Sequence, residues 1–149
     1  MNILSIAIII FLVLETLNVF MLYFTPGTRR GNGLGVFNAY EKSKKDPEVH
    51  ALVRYLINWV AGTKIIFIAL LIVILITGDN ITKLFSVGAL ILTILTYFWR
   101  LHPSISSMDA DGQITPKGYS RILAYMIAGF IVVFVVAIIT YMVFFHKLA

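Results

Sequence analysis

Four apolar stretches, each close to the length of a membrane span, occupy most of this chain: Asn2 to Phe24, Tyr55 to Thr77, Leu84 to Trp99 and Ile122 to Phe145. The last runs for 24 residues without a charge. As a helix that is about 36 Å, against a bilayer core of about 30 Å. Hydrocarbon offers the backbone no water, so each segment must satisfy its own polar groups, and this selects helices. A transmembrane barrel needs segments of about ten residues with alternating polarity, whereas these runs are long and continuously apolar. The expected fold is all-α, a four-transmembrane-helix bundle. Its spans are expected at 2–24, 55–77, 82–100 and 119–145, with loops at 25–46 and 101–115. With 149 residues so divided, the whole of 1–149 reads as a single integral membrane domain.

Composition supports this class. Charged residues make up 13% and hydrophobic residues 60%, whereas soluble domains carry about 25% charged residues. The chain has no cysteine, which excludes disulfides, thiol redox chemistry and Cys-ligated metal centres from it. No Lys or Arg precedes the first apolar run and Glu15 interrupts it, so that run reads as a retained span and not as a cleaved signal.

The basic residues set an expected orientation. Arg29, Arg30, Lys42, Lys44, Lys45, Arg54, Arg100, Lys117 and Arg121 lie in or beside loops one and three, while Lys83 and Lys147 lie at the opposite side. By the positive-inside rule, loops one and three are cytoplasmic and both termini face outside, in the plasma (bacterial inner) membrane. The net charge of +5 is accounted for beside the spans, so nucleic acid is not an expected partner. Membrane lipids are, and Arg29, Arg30, Lys42, Lys44 and Lys45 are the candidate contacts for anionic headgroups. Tyr23, Phe24, Tyr97, Phe98 and Trp99 form an aromatic belt on that side.

Helix starts are signalled twice. Asp46-Pro47-Glu48 supplies an N-cap, a proline at the first helical position and an acid in the first turn. Thr115-Pro116 repeats the cap and the proline. Helix two is expected from Pro47 to Thr77 and helix four from Pro116, both extended into the cytoplasmic interface.

Polar residues inside the spans carry the functional signal. Glu15 and Asn18 are three apart and share a face of helix one. A carboxylate at that depth must be protonated, paired or wetted. Glu15 lies nine residues from Phe24 and Lys64 nine residues beyond Tyr55. On antiparallel helices both then sit about 13 Å deep, so Lys64 is the expected partner. Glu15, Asn18, Asn58, Lys64, Thr93 and Tyr97 form the candidate intramembrane polar site, either a proton or cation site or an interhelical contact. Ser86, Thr93 and Arg100 repeat every seven residues. With Gly88 and Ala89, and with Ala124, Ala128 and Gly129 on helix four, they suggest close helix packing.

Other motifs are weak. Asp109-Ala110-Asp111-Gly112 resembles the middle of a calcium loop, but Ser107 and Gly118 stand at its two strong ligand positions. Gly31-Asn32-Gly33-Leu34-Gly35 is glycine-rich without the strand or the Gly-Lys-Ser/Thr ending of a phosphate loop. His50 and His102 lie at helix ends and not within a bundle. No catalytic residues, metal ligands or cofactors are assigned. The expectation is a small non-catalytic subunit or accessory protein of a larger membrane assembly, partnered by other subunits or by copies of itself. The alternatives are a proton- or cation-linked transporter using Glu15 and a lipid-modifying enzyme.

The orientation is open to a direct test. In intact cells, a Lys42→Cys variant should resist an impermeant thiol reagent applied outside, while Asn80→Cys should react. The reverse pattern would overturn the charge argument.

Overall fold

The computed structural model describes residues 2–30 and 32–146. Lys147 and Gly31, both used in the sequence reading, lie outside them. Six α-helices follow in order: α1 (Ile3–Phe24), α2 (Asn38–Ser43), α3 (Pro47–Thr77), α4 (Asn80–Thr96), α5 (His102–Ala110) and α6 (Tyr119–His146). Among the described residues there is no strand, only a single bridge between Phe37 and Ile114. Four helical stretches are long and apolar enough to cross a membrane: α1, α3, the run Asn80–Ala110, and α6.

The helix ends follow from local hydrogen-bonding chemistry. Asp46 accepts from the Glu48 and Val49 amides, with Pro47 at the first turn, so α3 begins where the sequence signals it. Asn2 caps α1 by accepting from the Ser5 amide at 2.9 Å, and its own amide group donates to Asn80 Oδ1 at 2.6 Å. That second bond ties the start of α1 to the α3–α4 turn. Asp79 caps α4 through the Thr82 amide at 2.7 Å. Gly78 precedes it, and a Cβ there would lie 2.5 Å from the Ile74 carbonyl, so the tight reversal requires glycine.

The third span departs from its expected end. Residues Tyr97–Leu101 form a π-turn that joins α4 to α5, so 102–110 is helix where a loop was expected. Pro103 is the reason for both readings. Proline lacks an N–H and clashes with the carbonyl four residues back, so it usually stops a helix. Here the wider turn absorbs it, and the His102 amide reaches the Tyr97 carbonyl, five residues back. The continuous run Asn80–Ala110 has 31 residues, about 46 Å, which exceeds a bilayer core.

Helix α6 also starts differently from expectation, at Tyr119 and not at Pro116. The Thr115–Pro116 peptide bond is cis. Thr115 does not cap; its hydroxyl donates to Asn38 Oδ1 at 3.0 Å. The cap comes from Asp109, which is buried. Its carboxylate accepts from the Gly118 amide at 2.9 Å, the Ser120 amide at 3.0 Å and the Ser120 hydroxyl at 2.6 Å. Gly112 and Gly118 take the left-handed backbone, φ 70° and 87°, that this reversal needs.

The two loops at this end are joined. The Asn38 amide donates to the Gln113 carbonyl at 2.9 Å, and the Thr115 amide to the Val36 carbonyl at 2.8 Å. The Asn38 side chain adds a bond to the Gly112 carbonyl at 3.1 Å. Beneath them, Val36, Ile105, Ile114, Tyr119 and Leu123 form a buried apolar cluster.

At the opposite end the core is built on α1. Leu4, Ile8, Phe11 and Leu12 pack against Leu71 of α3, Val87 and Leu90 of α4, and Phe134 and Ala137 of α6. The Phe11 ring meets Phe67, Phe130 and Phe134 edge-on, with centroids 5.4–6.0 Å apart. Helix α3 lies along α1, and α4 lies on α6. Although a two-residue turn joins them, α3 and α4 touch only sparsely. The expected small-residue seam is absent at its key positions, because a Cβ on Gly88 or Gly129 would meet nothing within 4 Å. The polar stripe of α4 is self-satisfied: Ser86 donates to the Thr82 carbonyl and Thr93 to that of Ala89.

Asp109 should therefore be a stability determinant. Asp109→Ala strips the cap from α6 and is expected to cost about 1–3 kcal/mol. Asp111→Ala, at an exposed site, should stay within about 0.5 kcal/mol. Thermal unfolding in detergent compares the two, and equal effects would remove Asp109 from its capping role.

Candidate functional site

The antiparallel packing of α1 on α3 brings Glu15 and Lys64 together: Lys64 Nζ donates to Glu15 Oε2 in a close ion pair. The pair is not sealed, since the two side chains retain 20% and 26% of their exposure. Lysine carries three donors and a carboxylate two acceptor oxygens. One of each is spent on the pair, which leaves hydrogen-bonding capacity on both partners.

Two adjoining cavities meet at Lys64. The first, of about 380 Å³, lies between α1 and α3 and is lined by Asn18, Leu22, Val53, Ile57, Val60 and Lys64 among others. The second, of about 470 Å³, opens between α3 and the α4–α6 side of the bundle. Its polar lining is Glu15, Asn32, Lys64, Thr93, Thr96, Tyr97 and Ser104, and its apolar lining includes Ile105, Met108, Leu123 and Ile127. Lys64 and Asn32 line both. The cleft exists because α3, held by α1, diverges from α4.

Of the residues singled out in the sequence, Glu15, Lys64, Thr93 and Tyr97 share the second cavity. Asn18 lines the first. Asn58 belongs to neither; it lines a separate cavity with Arg54 and His50. The Tyr97 hydroxyl and Asn18 Oδ1 are buried without a hydrogen-bond partner among the described residues. Tyr97 is held by edge contacts with Phe98 and His102, at 5.1 and 5.9 Å between centroids. Each unpaired group costs about 1–3 kcal/mol, so such groups in a native fold call for a partner.

The glycine-rich segment forms a strap across the cleft. Gly33, Leu34 and Gly35 donate their amides to the carbonyls of Arg30, Pro26 and Thr28, at 2.8–3.1 Å. A phosphate cradle needs free amides, and these are spent. Glycine serves close approach instead: a Cβ on Gly33 would lie 2.2 Å from the Thr28 carbonyl oxygen, and one on Gly35 2.0 Å from that of Gly27. The strap sets Asn32 at the junction of the two cavities. Glycine spacing could have signalled a folded-back segment, but nothing in the sequence places Asn32 there.

The basic residues of the first loop are exposed. Lys44 pairs with Glu41 at 2.7 Å and lies over the Tyr40 ring at 5.1 Å. Its bond to Glu41 raises its pKa above the ordinary lysine value. Asp109, in the calcium-loop-like stretch, is committed to capping α6. His102 packs on Tyr97 and Phe98.

No protein-family model, curated protein or solved structure matches this chain, so the chemistry of the cleft rests on its own geometry. That geometry lines one mostly apolar cavity with the paired charges and Tyr97 and the adjoining one with Lys64 and Asn18. It suits the binding of a molecule with a compact polar end and a hydrocarbon body.

The pair should be energetically coupled. Glu15→Gln or Lys64→Met alone is expected to cost about 1–3 kcal/mol, between the values for exposed and for fully buried pairs. The double variant should cost less than the sum. Additive losses in a double-mutant cycle would show the pair to be incidental.

Proposed function

We propose that this chain is a non-catalytic integral membrane component that holds a lipid-like, amphiphilic molecule in the cleft. The observation that carries this reading is the pair of unsatisfied groups, the Tyr97 hydroxyl and Asn18 Oδ1, on residues lining adjoining cavities that share Lys64. A polar headgroup would partner them after small side-chain shifts that uncover the two buried oxygens, and the wall of Ile105, Met108, Leu123 and Ile127 would receive hydrocarbon. Cavities of a few hundred Å³, mostly apolar with a few fixed polar groups, are the usual form of small-molecule sites. Because Glu15 and Lys64 cancel, the reading favours a headgroup that is uncharged or zwitterionic. An accessory place in a larger assembly, or in a homo-oligomer, remains part of the proposal.

A transporter coupled to Glu15 draws on one observation, that Glu15 lines the cavity. The ion pair weighs against it. That carrier would need Glu15 free to exchange partners, whereas Glu15 is engaged with Lys64.

Tyr97→Phe distinguishes binding from a purely structural role, because its two effects have opposite signs. Removing an unpaired hydroxyl should leave the ligand-free protein as stable or up to about 1 kcal/mol more stable. The same change should weaken retention of the co-purified amphiphile several-fold, and Met108→Trp, which fills the cavity, should abolish it. Mass spectrometry of molecules released from purified protein reads this out. No amphiphile in the wild type, or equal recovery from all three proteins, would refute the reading.

A further inference from the structure

A third cavity, of about 290 Å³, lies where the end of α1, the short α2 and the start of α3 converge. We propose that it is a binding site for the phosphate diester of a phospholipid headgroup. It is separate from the cleft, and its polar lining is Tyr23, Tyr40, His50, Arg54 and Asn58.

The site is built from one stripe of α3. His50, Arg54 and Asn58 are spaced by four, which puts all three on one face of the helix. No carboxylate lines the cavity. Among the described residues the ion pairs are Lys44–Glu41 and Lys64–Glu15, so the Arg54 guanidinium has no anionic partner. A guanidinium presents a planar fork of donors that matches two phosphate oxygens, and the Asn58 amide and the Tyr23 phenol add neutral donors.

Two of the groups are held in place beforehand. The Ser43 hydroxyl lies 2.8 Å from the Tyr40 carbonyl, to which it donates its single proton. It therefore accepts from His50 Nδ1, 3.0 Å away. This fixes the imidazole ring, which also packs against Tyr40 at 5.9 Å between centroids. Tyr40 is buried, and a Cβ on Gly27 would come within 3.0 Å of its ring. A glycine at that position leaves the ring its place.

Position favours a lipid over a soluble anion. Arg54 immediately precedes the apolar run that begins at Tyr55, the level at which lipid phosphates lie beside a span. Phe24, which also lines the cavity, is 74% exposed and stacks on the exposed Phe20 at 5.8 Å. These two rings offer an exposed apolar surface to acyl chains beside the polar lining.

The test uses the full chain and native mass spectrometry with added phosphatidylglycerol. A diacylglycerol with the same chains and inorganic phosphate serve as separate probes. One tightly retained phosphatidylglycerol is expected. Its affinity should fall roughly tenfold or more in Arg54→Gln, as for loss of a charged hydrogen-bonding partner, and several-fold in Asn58→Ala. Lys42→Gln should change it by less than about twofold, the size of an exposed-charge effect. The diacylglycerol should not compete with phosphatidylglycerol for this site, and any that the cleft retains should be unaffected by Arg54→Gln. Undiminished retention in both Arg54→Gln and Asn58→Ala would overturn the site. So would an equal loss in Lys42→Gln, which would reduce the effect to general surface charge. Displacement of phosphatidylglycerol by the diacylglycerol would remove the phosphate from the assignment, and displacement of the lipid by equimolar inorganic phosphate would assign the site to a soluble anion. Asn58→Ala keeps the proposal testable if Arg54→Gln fails to fold.

Discussion

Helix α1 sits where the other long helices need it, and the Phe11 ring is its anchor. Three aromatic rings, two of them from α6 and one from α3, close on that side chain. Residues of α4 complete the same cluster. In hydrocarbon, packing of this kind replaces the hydrophobic effect as the force that holds spans together. Because α3 is committed to α1 while α4 is committed to α6, the two members of the α3–α4 hairpin stay apart. The cleft, its open ion pair and its unsatisfied oxygens all follow from that division.

Where the sequence carried a complete local signal, the fold could be read from it. Asp46-Pro47-Glu48 defines the start of α3 because every part of the cap lies within three residues. Glu15 and Lys64 could be paired by counting residues from the two aromatic boundaries, since helical rise is constant. Reading failed where the deciding partner is distant. Thr115-Pro116 has the form of a helix start, yet Asp109, nine residues before Gly118, supplies the cap. Pro103 has the form of a helix stop, yet one π-turn carries the chain through it. The hydroxyl stripe of α4 looked like an interhelical seam. Serine and threonine can equally bond back to their own helix, and Ser86 and Thr93 do so.

The candidate site was legible in the same partial way. Charged and polar side chains in apolar spans stand out by cost alone, which is why Glu15, Lys64, Thr93 and Tyr97 could be named. Which of them share a space depends on helix rotation. Asn58 looked equivalent to Asn18, but the two residues serve different cavities. Asn32 was invisible because its position depends on glycines that let the strap fold back on itself.

The joined loops have a mechanical meaning. One end of the bundle is fastened by Asn2 to Asn80, and the other by the Phe37–Ile114 bridge with its flanking bonds. Between the two latches, α3 and α4 touch only sparsely. Between them, too, Glu15 of α1 meets Lys64 of α3. Under the binding role proposed above, a guest would come sideways, between α3 and α4, and its hydrocarbon would be accommodated before the polar groups meet it.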